Sequence, residues 1–343
     1  MRLLLYSDVH WSESSSIVRG RTERYSVRLE NLINSVNWAE LQSVANNCDA
    51  VVCLGDFFDK PTLTAEEITA LKEIRWSDMP HYFLVGNHDA NVSDLSFAST
   101  FALNQQNFNI ISSPSMIKDE NNSIYLLPYL LEGVRQPLID YIDKLRLTRT
   151  SNTIILSHND LAGVNYGGFV STNGFGVGEI LSCCDLFING HLHNSGFVDS
   201  DEKILNLGNL SGQNFSEDAF NHRHYCAVLD TNTLKLDFME NPYAFNFYKL
   251  SLIDNVSIPK IGPNAVLSIQ CSEGWLDTVK KLVNEKDVVV TARVQTILAD
   301  SGKEVDISAL ASTDHLQQFS DYILEHIDNS DILKEELSYI MRG

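Results

Sequence analysis

Five short apolar runs that stop abruptly at polar residues constrain this sequence more than any other feature. Short apolar runs bounded by turn residues are typical of buried strands. An aspartate, asparagine or histidine follows each run within a few residues, so side chains able to bind metal stand repeatedly at predicted strand ends. The five strand-end motifs are Asp8-Val9-His10, Gly55-Asp56, Gly86-Asn87-His88-Asp89, Ser157-His158 and Gly190-His191-Leu192-His193.

Helical patterns lie between several of these runs. Residues 22–46 repeat apolar side chains at helical spacing, from Tyr25 to Val44. Thr64 and Glu67 have the spacing of a capping box, which predicts a helix start. Alternating strands and helices predict parallel strands joined by helical crossovers, and therefore an α/β fold. The helix over 22–46 has two open interpretations: core packing, or a contact in a homodimer.

The domain organisation follows from length and from a change of pattern. A chain of 343 residues exceeds an average domain, which favours one large domain with an appendage. After about Ser251 the pattern becomes that of a small α/β unit, followed by two amphipathic helices. We predict a catalytic domain over 1–250, an α/β appendage over 251–305 that caps the site or binds DNA, and a helical tail over 306–343 suited to partner docking.

The compartment is predicted from the N-terminus, the cysteines and hydropathy. No apolar run is long enough to cross a bilayer. The N-terminal run meets Asp8 too soon for a signal peptide. The six cysteines include no C-x-x-C pair, which favours free thiols in a reducing environment. We therefore expect a cytoplasmic protein with no membrane contact.

The net charge of −20 limits the kinds of partner. It argues against a freestanding nucleic-acid binder that depends on a broad basic face. Phosphate substrates held through bound cations remain compatible with it, because metal ions invert the local field. Arg19, Arg21 and Arg24 belong to the one dense basic cluster, which is either a solvated loop or a contact to a phosphate backbone.

The strand-end side chains have the chemistry of a metal centre. They comprise two carboxylates, one amide and four imidazoles, from Asp8, His10, Asp56, Asn87, His158, His191 and His193. One metal ion cannot use seven such ligands, whereas two ions sharing a carboxylate can. Imidazole and oxygen without thiolate favour Mn, Fe or Zn in a catalytic site over Mg or Ca. In the third motif, we expect Asp89 to orient the imidazole of His88.

The order of these motifs resembles that of the calcineurin-like metallophosphoesterases over about residues 1–240. Within that superfamily the chain looks most like the Mre11/SbcD nucleases, including phage recombination-endonuclease subunits. Asp8-Val9-His10, Gly55-Asp56-Phe57-Phe58-Asp59, the appendage and the tail carry this finer resemblance. Related nucleases usually continue the first motif with Leu-Gly, but here Trp11-Ser12 follows.

The resemblance implies a fold and a set of metal shells. The fold would be a two-sheet α/β/β/α sandwich with the site at the strand ends. Asp8, His10 and His193 would hold one ion, and Asn87, His158 and His191 the other. Asp56 would bridge them. His88 would stay off the metals and act on the leaving group. We expect two divalent ions, Mn²⁺ first, with Mg²⁺, Fe²⁺ or Zn²⁺ as alternatives.

The function implied is that of a DNA nuclease subunit. It would hydrolyse phosphodiester bonds, as exonuclease or endonuclease, in DNA recombination, repair or replication. The implied partners are DNA and an SbcC/Rad50-like ATPase, and the compartment would be the host cytoplasm for a phage-encoded protein. The main alternative is a small-substrate phosphodiesterase or protein phosphatase with the same metal core. A non-catalytic scaffold is a third reading, disfavoured because all seven ligand positions are filled.

Overall fold

The secondary structure follows the predicted apolar runs closely. The structure is a computed structural model that describes residues 1–91, 94–103, 105–145, 152–164, 170–217, 219–253 and 256–297. The helices are α1 (Val27–Ala45), α2 (Ala65–Ala70), α3 (Leu138–Leu145), α4 (Val177–Cys183) and α5 (Leu276–Asn284). The strands are β1 (Arg2–Tyr6), β2 (Ala50–Cys53), β3 (His81–Leu84), β4 (Ala90–Asn91), β5 (Asp94–Ala98), β6 (Phe108–Ile111), β7 (Ser115–Lys118), β8 (Ser123–Leu127), β9 (Thr153–Ser157), β10 (Leu161–Ala162), β11 (Phe175–Gly176), β12 (Leu186–Asn189), β13 (Gly196–Phe197), β14 (Ile204–Asn206), β15 (Tyr225–Asp230), β16 (Lys235–Glu240), β17 (Asn246–Leu252), β18 (Ala265–Ser272) and β19 (Val289–Ile297).

Two six-stranded sheets carry the site. The first has the order β16-β15-β1-β2-β3-β6, and the second has the order β13-β14-β12-β9-β8-β7. In the first sheet β1, β2, β3 and β6 pair in parallel, and the predicted antiparallel pair β15–β16 extends its other edge. In the second, β8, β9, β12 and β14 are parallel. The two parallel cores are the part of the fold that assembles the strand-end motifs.

The sheets pack face to face because alternate residues of each strand point to opposite faces. Leu3 and Leu5 of β1 meet Ile124 and Leu126 of β8 in one buried cluster between the sheets. On the outer face of the first sheet, Leu4 packs with residues of α1. The outer face of the second packs against α3 and α4. The layers are therefore α/β/β/α, as the family resemblance implied.

Helix α1 is shorter than predicted and only partly amphipathic. It begins at Val27 rather than Thr22, after Ser26, whose side chain accepts a hydrogen bond from the backbone N–H of Leu29. Two residues predicted to continue its apolar face, Leu41 and Val44, are 67% and 58% exposed. Glu40 and Ser43 beside them are buried, so Leu41 and Val44 lie on the solvent side of the same turns, and helical spacing alone overstated the buried face. The homodimer contact stays a prediction.

The capping box at Thr64 is confirmed. The Thr64 side chain accepts from the backbone N–H of Glu67, and the Glu67 carboxylate accepts from the backbone N–H of Thr64. Glu67 is fully buried, and it also accepts from the backbone N–H of Glu13 and pairs with Lys60. One helix cap therefore also anchors the loop that follows β1.

The appendage contains a three-stranded sheet with the order β17-β18-β19, together with α5. Its first strand spans Asn246–Leu252 and pairs in parallel with β18, so the predicted boundary at residue 250 falls inside a strand. This long-range pairing has no local signature in the sequence. The predicted helical tail over 306–343 lies outside the described residues. Among the described helices, none has the length and apolarity that a bilayer crossing requires.

Candidate metal centre

The five strand-end motifs converge where the parallel strands of both sheets end. Asp8 and His10 follow β1, Asp56 follows β2, and Asn87 follows β3. From the second sheet, His158 follows β9, whereas His191 and His193 follow β12. Ligands bind at the carboxyl ends of parallel strands in many open α/β sheets. Here the ends of two facing sheets supply the residues together.

The ligand atoms form overlapping groups. Asp8, His10 and His193 make one group whose ligand atoms all lie within 4.8 Å of one another, and Asp56, His158 and His191 make another. The Nε2 atoms of His10 and His193 are 3.2 Å apart.

In the second group, Asp56 and Asn87 approach the histidines from the first sheet. Asp56 Oδ2 lies 3.2 Å from His158 Nε2 and 3.8 Å from His10 Nε2, so this carboxylate stands between the two groups. Asn87 Oδ1 lies 3.2 Å from His158 Nε2 and 3.0 Å from His191 Nδ1. The structure thus brings together all seven predicted ligands.

Outward hydrogen bonds fix which nitrogen of each histidine faces the centre. His10 Nδ1 lies 3.0 Å from Asp59 Oδ1, and His193 Nδ1 lies 3.3 Å from Glu217 Oε1. Because a carboxylate only accepts, each of these Nδ1 atoms carries the proton, which leaves Nε2 as a free lone pair.

The other two histidines follow the same rule through different acceptors. His158 Nδ1 lies 2.7 Å from the carbonyl oxygen of Leu54, which leaves its Nε2 facing inward. His191 is held the opposite way round, with Nε2 lying 3.1 Å from Asp160 Oδ1, so its inward atom is Nδ1. All four imidazoles therefore present lone pairs to the centre when they are neutral.

One inward ligand atom has no hydrogen-bond partner to satisfy it. Asp8 Oδ1 is buried and lacks a hydrogen-bond partner among the described residues. Asp8 Oδ2 is already engaged, since it accepts from the Ser7 hydroxyl and from the backbone N–H of His191. An orphaned carboxylate oxygen facing imidazole lone pairs is costly unless a cation lies between them. The residues present therefore fit a pair of divalent cations.

The electrostatics of the ligand side chains give the same result. Burial opposes the charged form of His158, but the neighbouring Asp56 carboxylate outweighs it and raises the pKa of His158 to about 9. For Asp56, burial is likewise outweighed by His158, and the pKa of the carboxylate falls below its usual range. Metal ligation requires neutral imidazole, so a divalent ion would take over the charge that a proton on His158 otherwise provides.

The ligand loops use backbone conformations that most residues avoid. Positive φ values occur at Asp8 (51°), His10 (48°), Asp56 (48°) and His191 (72°). Such angles are uncommon outside glycine and concentrate at functional sites. The strict alternation of a strand therefore does not explain how Asp8 and His10 face the centre together; the left-handed turns do.

Two glycines of the motifs are required for space. A Cβ on Gly86 would clash with the Asp56 carboxylate, and one on Gly55 would clash with the His158 ring. Gly55 also has φ of +108°. The glycine that precedes each ligand loop thus lets a side chain from another strand reach the centre.

Asp89 does not orient His88, contrary to the sequence-based prediction. Its Oδ1 accepts from the backbone N–H of Phe58 and its Oδ2 from that of Gly86, each at 2.8 Å. Burial, together with the nearby Asp56 charge, raises the pKa of Asp89 to about 7. Residues adjacent in a loop need not share a face, and this carboxylate ties the loop of Gly86 to that of Phe58 instead.

His88 is exposed at the rim of the centre. Its backbone N–H donates to Asp56 Oδ1 at 2.8 Å, and its Nδ1 lies 3.2 Å from the carbonyl oxygen of Asp59. The His88 ring lies 4.7 Å from the ring of His10. Ligand atoms of His10, Asp56 and His88 also lie within 4.8 Å of one another, so His88 stands close enough to the centre either to bind an ion or to donate a proton there.

The predicted arginine cluster divides into exposed and buried members. Arg21 pairs with Glu66 at 2.9 Å and Arg24 with Glu73 at 2.7 Å, while Arg19 donates to the carbonyl oxygen of Ser16. None of these three arginines lines the cavity beside His191 and His193 or the smaller cavity beside His10. The next arginine, Arg28, is only 5% exposed. Exposed ion pairs contribute little, so the structure supports the solvated reading for the first three.

Three carboxylates that orient histidines were not assigned from the sequence. Asp59 and Asp160 lie within the strand-end motifs, three and two residues after a ligand, so their position was a usable signal. Glu217 lies far from every motif and is 2% exposed. It also accepts from the side chain of Asn209 and the backbone N–H of Gln213. No local sequence pattern predicts its role as the partner of His193.

Removing the Asp59 carboxylate should weaken metal binding without unfolding the chain. We expect Asp59→Ala to lower affinity for the ion at His10 by about 10–100-fold, the usual effect of losing a partner behind a ligand. Asp59 is 41% exposed, so truncation is tolerable. Mn²⁺ titration measures the effect, with Asp237→Ala, an exposed aspartate paired with Lys235, as the matched control. Equal affinities in the two variants would contradict the role given to Asp59.

Comparison with known proteins identifies the family. The profile of the calcineurin-like phosphoesterases matches residues 1–195. No curated protein matches the chain significantly.

Three similar solved structures are an archaeal phosphodiesterase, a dimetal phosphatase from Danio rerio and the calcineurin-like phosphoesterase YfkN from Bacillus subtilis. The first has 14% identity and a TM-score of 0.36, covering 70% of this chain and 99% of that one. The second has 14% identity and a TM-score of 0.39, covering 66% and 91%. The third has 13% identity and a TM-score of 0.36, covering 70% and 88%. The profile match spans more than half of the sequence and includes every strand-end motif. The chain belongs to the calcineurin-like phosphoesterase family.

Proposed function

We propose that this phosphoesterase is a di-metal DNA nuclease subunit that acts with an SbcC/Rad50-like ATPase in recombination, repair or replication. The observation that carries the hydrolase chemistry is the convergence of seven ligand side chains on one centre, with Asp56 between the two groups. The choice of DNA as substrate is supported by the resemblance of the strand-end motifs to those of the Mre11/SbcD nucleases.

The surroundings of the centre also favour an extended substrate. A cavity of about 910 Å³ opens beside His191 and His193. Its walls include Phe197 of β13, which is 39% exposed, and Lys249 of β17. Aromatic faces stack on bases, and lysine contacts phosphates. Such a cavity is larger than a single phosphate needs, which supports a polynucleotide over a small ester.

The net charge of −20 makes a partner useful for holding DNA. A chain this acidic repels a polyanion at long range. An ATPase that contributes part of the phosphate contact would compensate for it. The proposal gives residues 306–343 the role of the docking segment for that partner.

The side chains have separate tasks in the proposed reaction. Two bound divalent ions would stabilise charge on the phosphate oxygens and lower the pKa of the attacking water. Nδ1 of His88 faces a carbonyl oxygen and therefore carries a proton, so in the proposed step Nε2 is the atom that donates a proton to the leaving oxygen. As the P–O bond breaks, the departing oxygen takes the electron pair and this proton. The hydrogen bond to Asp59 holds the ring in place throughout.

The nuclease proposal is tested with purified protein, Mn²⁺ and linear duplex DNA. We expect release of nucleotides or cutting of the duplex that stops when EDTA removes the metal, because the ligand set needs cations to act. Bis(p-nitrophenyl) phosphate serves as the control substrate. Turnover of this small ester with no cleavage of DNA, even in the presence of the ATPase, would favour the small-substrate phosphodiesterase or phosphatase.

His88→Ala should separate catalysis from metal binding. We expect the variant to keep two bound ions per chain but to lose about 10²–10⁴-fold in rate, the usual contribution of a positioned acid. Metal content by elemental analysis and kcat on the same substrate are measured together. If metal content falls in parallel with activity, His88 is a ligand and the proposed proton transfer is wrong.

A further inference from the structure

A second, smaller cavity borders the metal centre at His10. It has a volume of about 220 Å³ and is open to solvent. We call it the serine cavity, and its walls include Ser12, Ser15, Arg28, Gln213, His10 and Asp59. His10 is also a ligand in the first metal group. A group bound in the serine cavity would therefore sit next to the reacting phosphate.

Arg28 supplies a buried positive charge to this cavity. Its Nη1 donates to the carbonyl oxygen of Gly212 at 2.7 Å and lies 3.5 Å from Ser211 Oγ. Its Nε and Nη2 have no hydrogen-bond partner among the described residues. No carboxylate of the described residues forms an ion pair with the Arg28 guanidinium. Burial lowers the pKa of Arg28 to about 10, although the nearby charges of Glu217 and Asp59 oppose that shift, and the guanidinium stays charged at neutral pH. Because neither carboxylate is in direct contact with this arginine, which is only 5% exposed, a bound anion would stabilise its charge further.

Gln213 adds a second unsatisfied donor. Its Nε2 is buried and has no hydrogen-bond partner in the described structure. Its backbone N–H is already engaged by Glu217 at 2.9 Å, which fixes the residue at the cavity wall. A buried amide N–H₂ without an acceptor costs free energy that a bound oxygen would recover.

The serine hydroxyls complete the set of donors. Ser15 Oγ accepts from the backbone N–H groups of Ile17 and Val18, so its own proton remains available to donate. Ser12 and Ser14 share one hydrogen bond at 3.1 Å, which leaves one hydroxyl proton free between them. These serines lie in the loop where Trp11-Ser12 replaces the Leu-Gly usual in related nucleases. The departure from the family pattern thus coincides with the serine cavity.

One carboxylate also lines the cavity and limits what it accepts. Asp59 lies there with its Oδ1 turned to His10 Nδ1 at 3.0 Å. Its charge opposes a multiply charged anion more than a singly charged one. A phosphodiester carries a single negative charge, whereas a terminal phosphate carries nearly two at neutral pH. The wall composition therefore favours an internal phosphodiester.

We propose that the serine cavity binds the phosphodiester next to the one being cleaved, held by Arg28, Gln213 and the Ser12–Ser15 loop. The inference rests on the proposed nuclease function and specifies its substrate: a strand with at least two consecutive phosphodiester links. By binding one phosphate of the DNA strand, the site fixes which adjacent phosphate reacts at the metal centre. Arginine suits this role because its planar fork matches phosphate oxygens.

The test pairs protein variants with charge-neutral DNA. Two short oligodeoxynucleotides are prepared, and each has one phosphate replaced by an uncharged methylphosphonate. In the first the replaced phosphate lies on the 5′ side of the cleaved bond, and in the second it lies on the 3′ side. Wild type, Arg28→Met, Gln213→Leu and the exposed control Arg19→Met are compared by kcat/KM on each strand, with metal content measured for all. Gln213→Leu removes no side-chain hydrogen bond to any described residue, so it guards against a folding defect in Arg28→Met.

We expect the wild type to lose about tenfold or more on one of the two methylphosphonate strands, since a hydrogen-bonded charge contact is lost. Arg28→Met should lose a similar factor on natural DNA and nothing further on that strand. Gln213→Leu should show a smaller loss with the same coupling, and Arg19→Met should match wild type. If the losses of kcat/KM caused by Arg28→Met and by the methylphosphonate multiply when the two are combined, Arg28 and that phosphate act independently. This result would overturn the proposal.

Three further results would also overturn it. Wild type that cleaves natural and methylphosphonate DNA equally removes the serine cavity from recognition but leaves the nuclease intact. Wild type that cleaves no DNA removes both proposals. Inorganic phosphate that inhibits wild type but not Arg28→Met, with no methylphosphonate effect, would place a free ion in the cavity instead of the strand.

Discussion

The structure depends on one electrostatic constraint: lone pairs from two sheets are pointed at each other across a buried space. Outward hydrogen bonds to Asp59, Glu217, Asp160 and the carbonyl of Leu54 hold the ring protons away from the centre. What remains inside is an array of bare nitrogens and oxygens. In a low-dielectric site such an array is stable only with positive charge between its members. The fold thus holds these ligand atoms in positions where they can bind cations.

That constraint explains why the sandwich is built as it is. The apolar layer between the sheets fixes their separation, so strand ends that belong to different sheets arrive at the same place. Left-handed turns at four ligand positions and glycines at the neighbouring ones let the side chains crowd together without clashes. Strain of this kind is stable only where surrounding structure over-determines it. Here the buried strands and the outer carboxylates supply that support.

The sequence predicted the part of the site that local patterns can encode. A buried strand that stops at Gly-Asp or Gly-His marks both its own end and the ligand that follows. Because alternating strands and helices give parallel strands, the strand ends lie together. The partners behind the ligands were harder to see. Glu217 reaches His193 only through tertiary packing, and the strand Asn246–Leu252 is defined by its pairing with β18 rather than by composition.

Sequence neighbours were also a poor guide to contacts within loops. Asp89 follows His88 directly, yet its oxygens accept hydrogen bonds from the backbone N–H groups of Phe58 and Gly86 rather than from His88. The basic segment behaved in the same way, since its three exposed arginines find surface partners while the fourth, Arg28, is buried beside the centre. Helical position decides this difference. Arg28 lies in the first turn of α1, on the face turned toward Gly212, and spacing alone did not distinguish it.

The account is tested most directly by a crystal structure of the protein loaded with Mn²⁺ and read by anomalous scattering. Two metal peaks about 3.5–4 Å apart are predicted, the usual separation in two-metal sites, with Asp56 contacting both. One peak should be held by Asp8, His10 and His193, and the other by Asn87, His158 and His191. A single peak, or two peaks that Asp56 does not join, would contradict it.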